Sequence, residues 1–119
     1  MISSHKDLTV YQQAVDLVVD IYTLTKCFPK EELYGLTAQL KRASVSVPSN
    51  IAEGAGRRGK AEFIRFLYIS MGSLSEVETQ IEIAVRLSFC EKQEDIIKKV
   101  YTIKRMLSKL IKSLEAVMP

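Results

Sequence analysis

Apolar residues recur every three to four positions along four long stretches, and this period limits the possible folds more than any other feature of the chain. The stretches cover about residues 9–27, 31–53, 60–88 and 93–117. No segment alternates apolar and polar residues in the way a half-buried strand does. Because the connections are short, sequential helices are expected to be antiparallel neighbours. The sequence therefore predicts an all-α, up-down-up-down four-helix bundle that forms a single domain, 1–119.

The second stretch contains a proline, Pro48. A proline removes one backbone hydrogen bond and clashes with the carbonyl four residues earlier, here that of Ser44. We therefore expect a kink or a break at Pro48, with the hydroxyls of Ser44, Ser46 and Ser49 available to the freed backbone groups. A serine nucleophile is not predicted, because no motif nearby supplies a base.

The connection between helices 2 and 3 holds Gly54, Gly56 and Gly59, which have the spacing G-x-G-x-x-G of a dinucleotide-binding turn. That turn requires a strand before its first glycine and an acidic residue after a second strand. The residues before Gly54 have helical period instead, so no cofactor is predicted. Gly54 is expected to end helix 2 in the left-handed conformation, and Gly59 to start helix 3. By the capping-box pattern, Thr9 is expected to cap helix 1, with Gln12 reaching back to it.

Two basic features have the spacing of phosphate-contacting surfaces. The glycine loop carries Arg57, Arg58 and Lys60 beside a helix N-terminus, whose free N–H groups attract anions. On helix 4, a narrow arc opposite the apolar stripe contains four cations, namely Lys98, Arg105, Lys109 and Lys112. For the loop, an exposed turn and a phosphate contact are equally good interpretations, and the arc on helix 4 is either a solvated face or an RNA-binding one.

The chemistry-bearing side chains do not combine into a catalytic or metal site. Glu78 falls within the apolar arc of helix 3, where it is expected to be a rim residue or a paired, buried carboxylate. Cys27 and Cys90 lack metal-ligand spacing and His5 is the single histidine, so no zinc site is predicted. The thiols are expected to be small buried hydrophobes in a reducing cytoplasm. With no nucleophile, base and orienting group to name together, the protein is not expected to be an enzyme.

More apolar surface is present than one bundle can cover. On helix 1 the apolar residues spread over well over half of the circumference, and helix 3 has a second, weaker stripe at Ile69, Ile83 and Leu87. Both features predict that the chain associates with copies of itself. No signal core and no apolar run of about 18 residues is present, so we expect a cytoplasmic protein without a membrane partner.

Several segments closely resemble the signature of the 23S rRNA intervening-sequence proteins, a bacterial family described as four-helix-bundle proteins. The resemblance is carried by Tyr34–Ala43 (YGLTAQLKRA), by Ser46–Gly54 (SVPSNIAEG), and by helix 3 at Phe63–Leu67, Gly72–Leu74 and Glu76-x-Glu78-x-Gln80. It extends over about residues 8–114. The resemblance implies homopentameric rings without enzymatic activity. Some members are encoded by inserts in 23S rRNA genes, and a related group serves diversity-generating retroelements by binding RNA and the reverse transcriptase.

The resemblance also implies a basic surface, matched here by Lys41, Arg42, Arg57, Arg58 and Lys60. We expect Lys41 and Arg42, one or more turns back on helix 2, to act with the loop. The formal net charge of +3 is only mildly basic. The predicted function is therefore that of a non-enzymatic, oligomeric helical bundle that binds nucleic acid, in particular structured RNA. The alternative is a scaffold whose ring surface docks a protein partner and whose cations only confer solubility.

Overall fold

Four α-helices make up most of residues 4–116, the part of the chain that the computed structural model describes. Their bounds are Thr9–Thr25 for α1, Leu36–Ala55 for α2, Lys60–Arg86 for α3 and Glu94–Ala116 for α4. Within residues 4–116 no strand is present, so the predicted all-α fold is confirmed. The predicted end of the fourth helix, residue 117, lies outside the described residues.

Two helices begin differently from the prediction. Thr9 does not cap α1, because it is already the first helical residue and Leu8 occupies the cap position without a side-chain hydrogen bond. The Gln12 amide instead donates a hydrogen bond to the Lys6 carbonyl at 3.1 Å. The second helix begins at Leu36 and not near residue 31, because the chain first forms a short 3-10 turn at Lys30–Glu32. The Glu32 carboxylate then accepts a hydrogen bond from the Leu36 N–H at 3.0 Å, which satisfies one of the free donors at the start of α2.

The apolar side chains that repeat with helical period on the four helices form one core. Each helix contributes side chains at spacings of three and four, so that one stripe per helix faces inward. The largest fully buried side chains are Leu17, Ile21, Leu40, Val47, Ile51, Leu67, Leu74, Val77, Ile81, Val100, Ile103 and Leu107. The bundle that they fill measures 49 × 23 × 20 Å.

Each helix packs against two of the other three. In the described part of the chain, α1 packs against α2 and α4, and α3 packs against α2 and α4, whereas the backbones of α1 and α3 do not come close to each other. The helices are joined by the short segments 26–35, 56–59 and 87–93, as the predicted up-down order requires. The antiparallel directions themselves stay a prediction.

The most extensive contact is the one between α2 and α3, and small side chains line it. The buried Ser70 hydroxyl donates to the Val47 carbonyl at 2.9 Å, and the hydroxyls of Ser46 and Ser73 are hydrogen-bonded to each other. α2 continues through Pro48 without interruption, so the helix does not break there. A kink at Pro48 stays a prediction. The Ser44 hydroxyl donates a hydrogen bond to the Lys41 carbonyl at 2.8 Å.

The close contact between α2 and α3 requires a glycine at position 54, and a left-handed turn does not. No glycine among the described residues has a positive φ, so the predicted conformation of Gly54 is wrong. A Cβ atom at Gly54 would lie 2.8 Å from the Phe66 Cβ and 3.0 Å from the Phe63 Cδ1. Only a glycine leaves room for α3 to approach α2 so closely at this end. Gly59 does precede the first residue of α3, as predicted.

Candidate nucleic-acid interface

The loop between α2 and α3 presents three of the five predicted site residues together. α2 ends at Ala55 and α3 starts at Lys60, so Arg57 and Arg58 lie in a tight connection and Lys60 opens the next helix. All three are exposed. Gly59, in the cap position of α3, has no side chain that could satisfy the first N–H groups of this helix. The loop therefore offers cations beside a helix N-terminus, an arrangement that suits an anion.

Arg57 is held in place more firmly than its loop position suggested. Its guanidinium forms an ion pair with Glu53 at 3.0 Å and lies 5.0 Å from the centre of the Phe66 ring. Arg65 lies 4.7 Å from the same ring and pairs with Glu62 at 3.1 Å. Cation–π contacts of this kind orient the guanidinium without neutralising its charge. The loop patch, which we define as Arg57, Arg58, Lys60 and Arg65, thus has four cations against two partner carboxylates.

Arg65 belongs to this patch, although the loop sequence did not single it out. The signal lay in the spacing Glu62-x-x-Arg65, which places an ion pair on one helical face. The spacing alone does not say which way that face points. The direction follows from the contact of Gly54 with Phe66, which brings the first turns of α3 against the end of α2.

Lys41 and Arg42 lie far from the loop. Ala55 ends α2 fourteen residues after Lys41, which corresponds to about 21 Å along the helix axis. The Lys41 ammonium lies over the Tyr22 ring of α1, 4.7 Å from its centre. Arg42 lines an open cavity of about 310 Å³ between α2 and α3, opposite Glu76. Within one chain, these two residues therefore do not join the loop patch.

α4 presents the longest run of positive charge. Residues 98–112 contain six Lys or Arg side chains and no Asp or Glu. Two of the six face neighbouring helices, where Lys99 pairs with Asp20 at 2.5 Å and Lys104 pairs with Glu78 at 3.2 Å. The other four point outward, and none of them forms an ion pair with another described residue. We call them the α4 stripe, and its members are Lys98, Arg105, Lys109 and Lys112.

The α4 stripe extends about 21 Å along the helix, the rise of the fourteen steps from Lys98 to Lys112. Beside its second half lies an open hollow of about 490 Å³, lined by Arg105, Lys109 and Lys112 together with Thr102, Met106 and Ser108. A row of unpaired cations along a hollow matches the spaced phosphates of a nucleic acid backbone.

Glu78 is paired, as in one of the two predicted roles, but its side chain is 30% exposed and not buried, as in the other. Its carboxylate accepts a hydrogen bond from the Tyr101 hydroxyl and another from the Lys104 ammonium at 3.2 Å. The Tyr101 hydrogen bond lowers the pKa of Glu78, burial opposes this effect, and Lys104 lowers the pKa further. The same hydrogen bond raises the pKa of Tyr101. The cluster ties α3 to α4, and the carboxylate is stabilised in its charged form.

Two outward faces of the bundle are apolar. On α1, Val15, Val19 and Tyr22 are exposed at spacings of four and three, with Val19 exposed to 60%. A second face consists of Ile69 and Ile83 on α3 and Leu87 directly after its last residue, and all three are exposed. These are the residues of the over-wide arc and of the weaker stripe in the sequence. Since α1 and α3 lie diagonally in the bundle, the two faces are on different sides of the molecule.

Residues 4–116 contain neither a metal-binding cluster nor a helix that could span a membrane. This part of the chain contains no group of three His, Cys, Asp or Glu side chains close enough to bind a metal ion. None of the four helices combines the length and the apolar character that crossing a bilayer requires.

Comparison with solved structures finds the same fold elsewhere. A protein of unknown function from the S23 ribosomal protein family of Bacteroides thetaiotaomicron VPI-5482 superimposes with a TM-score of 0.80. The two sequences are 24% identical, and the match covers 87% of this chain and 99% of the other. No match is found among curated proteins. The structural likeness therefore establishes the fold, but not a function.

Comparison with family models identifies the chain's relatives. The model of the 23S rRNA-intervening sequence protein matches residues 6–109. The match includes α1, α2 and α3, the glycine loop, and α4 as far as Lys109, with three of the four residues of the α4 stripe. The chain belongs to the 23S rRNA-intervening sequence protein family.

Proposed function

We propose that this protein is a non-enzymatic, oligomeric bundle that binds structured RNA through phosphate contacts. The observation that carries the proposal is the distribution of paired and unpaired cations on α4. Of six cations in a segment without any carboxylate, two are used to hold helices together and four are left outward and without ion-pair partners in the described chain. If the outer side of α4 served only to keep the protein soluble, a mixture of Lys and Glu would serve equally well, because interspersed charges of both signs solvate a surface.

The loop patch provides a second group of cations for the same ligand. Arg58 and Lys60 are exposed, and Arg57 and Arg65 are oriented by Phe66. One chain offers only a few contacts at each place, which gives weak binding that salt disrupts. Assembly multiplies them, since five loops on one face of a ring would engage on the order of 5–10 phosphates.

The oligomer in this proposal rests on the two apolar faces. A copy that covers the α1 face with its own α3 face uses two different surfaces, and such head-to-tail contacts form a ring if the rotation between copies closes and a filament if it does not. The implied number of five comes from the family resemblance, and the exposed faces by themselves support only an assembly of more than one copy. We expect the assembly to be cytoplasmic.

Salt-dependent RNA binding tests the proposal. A stripe variant (Arg105→Ala, Lys109→Ala, Lys112→Ala) and a loop variant (Arg57→Ala, Arg58→Ala) are compared with the parent on RNA hairpins of unrelated sequence. Each lost phosphate contact should reduce the slope of log affinity against log salt by about 0.9, equally for all sequences. A matched control (Lys26→Ala, Lys30→Ala, Lys92→Ala) removes the same charge as the stripe variant from exposed positions outside both patches.

The proposal fails if the stripe variant binds no more weakly than the control, because net charge would then explain the affinity. It also fails if the parent binds no RNA at low salt. In that case the second candidate function, a scaffold for a protein partner, is favoured by the exposed apolar faces on α1 and α3. A partner retained after nuclease treatment would support the scaffold if it is lost when Val19 or Ile83 is replaced by Asp while the mass of the assembly stays that of the parent.

A further inference from the structure

The two cysteines lie in different connections of the bundle, 63 positions apart in the sequence. Cys27 follows the end of α1, and Cys90 lies between α3 and α4. The sequence predicted two buried, separate thiols. This prediction is wrong for Cys27, which is exposed, while Cys90 is only partly buried.

The fold brings the two connections together. The Cys27 thiol donates a hydrogen bond to the Leu24 carbonyl at 3.0 Å and lies 3.6 Å from the Phe89 carbonyl oxygen. That oxygen belongs to the peptide unit that leads into Cys90. The neighbouring rings of Phe28 and Phe89 pack at 5.8 Å between centroids, which holds the connections side by side.

Both cysteines lie in connections between helices, where the Cys27 N–H donates a hydrogen bond to the Leu24 carbonyl at 3.2 Å. Cys27 and Cys90 lie outside the α-helices, so neither is fixed by a helical hydrogen-bond ladder. A disulfide needs Cα atoms within about 7 Å and Cβ atoms that face each other, which a small shift of two facing loops can provide. The core reaches this end of the bundle, because Phe28 belongs to it and Phe89 and Cys90 pack against it, so the shift has to be a small one.

We propose that Cys27 and Cys90 form an oxidative modification site, at which a peroxide converts the two thiols into an intramolecular disulfide. The bond would join the α1–α2 connection to the α3–α4 connection at one end of the bundle. The structure as it stands is the reduced form, with both cysteines free.

The reaction needs two steps and one equivalent of peroxide. The Cys27 thiol loses its proton, its thiolate attacks a peroxide oxygen, and the O–O bond breaks. Cys27 becomes a sulfenic acid, and the hydroxide that leaves takes up the thiol proton as the first water. The Cys90 sulfur then attacks the sulfenic sulfur, the S–S bond forms, and the hydroxyl leaves with the Cys90 proton as the second water. Burial and the neighbouring Cys27 raise the pKa of Cys90, so the exposed Cys27 is the residue that reacts first.

Mass spectrometry of the intact, folded protein tests the site. After reductant is removed, one equivalent of hydrogen peroxide should lower the mass by about 2 Da, and dithiothreitol should restore it. Trypsin should then release the peptides Cys27–Lys30 and Leu87–Lys92 as one linked species. An unchanged mass, a gain of oxygen atoms at about 16 Da each, or disulfide-linked dimers would overturn the proposal.

Two variants assign the order of reaction, and a denaturant control tests the role of the fold. Cys90→Ser should leave a sulfenic acid at Cys27 that dimedone captures, whereas Cys27→Ser should leave Cys90 largely unmodified. The wild-type disulfide should form faster in the folded protein than in urea, because the fold holds the thiols together. If it forms as fast or faster in urea, the native arrangement does not create the site.

Discussion

At the scale of single residues, two glycines of this chain have opposite roles. A side chain at Gly54 would collide with Phe63 and Phe66, whereas a Cβ at Gly72 meets nothing within 4 Å. We expect Gly54→Ala to lower the free energy of unfolding by about 1–3 kcal/mol, since the contact of α2 with α3 must open. Urea denaturation measures this effect.

Gly72→Ala is the matched control, with the same added methyl group on an exposed helical position. It should raise the free energy of unfolding by about 0.5–1 kcal/mol, because alanine favours the helix more than glycine does. Equal effects at the two sites would show that the close approach at Gly54 has been misjudged.

Glu78 makes stability depend on pH in a definite direction. Its pKa in the folded protein is lowered, chiefly by the Tyr101 hydrogen bond, from an ordinary value of 4.5. The folded state therefore binds the proton less readily than the unfolded chain does. The stabilisation is fully present above pH 4.5 and is lost as the pH falls through the folded pKa.

Glu78→Gln should therefore be less stable than the parent near neutral pH, and this difference should shrink in acid. Chemical denaturation between about pH 3 and pH 7 measures it. Glu82→Gln is the control, because the surface pair of Glu82 with Arg86 contributes only about 0.3–0.5 kcal/mol. A difference at Glu78 that stays constant with pH would contradict the assignment.

At the scale of elements, the inward stripe of α3 carries the packing of the bundle. Leu74 is fully buried at the middle of this helix. Leu74→Ala should cost about 2–5 kcal/mol, because it removes buried apolar area and leaves a cavity. The same change at Leu33, which is 52% exposed, should cost less than about 0.5 kcal/mol. A cost near zero at Leu74 would mean that the inward face of α3 is misassigned.

α4 shows how one helix serves two purposes. Its inward side joins the core through Val100, Ile103, Leu107 and Ile111. The lysines at the edges of this inward side, Lys99 and Lys104, pair with acidic residues on α1 and α3. The opposite side keeps the α4 stripe in solvent. Because both sides follow one helical period, a change on the outer side should alter RNA affinity without altering the fold.

At the scale of the whole molecule, the exposed faces of α1 and α3 predict assembly. Light scattering at micromolar concentration should return a mass well above the 13.4 kDa of one chain. Val19→Asp on α1, or Ile83→Asp on α3, should reduce that mass, because each buries a charge in the contact. Ser113→Asp, at an exposed position of α4, should not. A parent mass of 13.4 kDa would refute the assembly, and a stable dimer would exclude only the pentamer.

Much of this architecture follows from the sequence alone. The period of the apolar residues determined four helices, because a helix is a local structure whose faces repeat every three or four positions. The same periodicity predicted the α4 stripe and the excess apolar surface on α1. It also gave pairing as one of the two roles of Glu78. The start of α2 was missed, since a 3-10 turn at Lys30–Glu32 has nearly the same local signals as the first turn of an α-helix.

Only the tertiary structure decided which distant residues meet. It showed that Gly54 serves a close helix contact, that Lys99 and Lys104 are turned to other helices, and that Cys27 and Cys90 are neighbours. Periodicity gives the direction of a side chain around its own helix, but not the element that lies opposite. That pairing depends on how all four helices share one core, and no window along the chain contains this information.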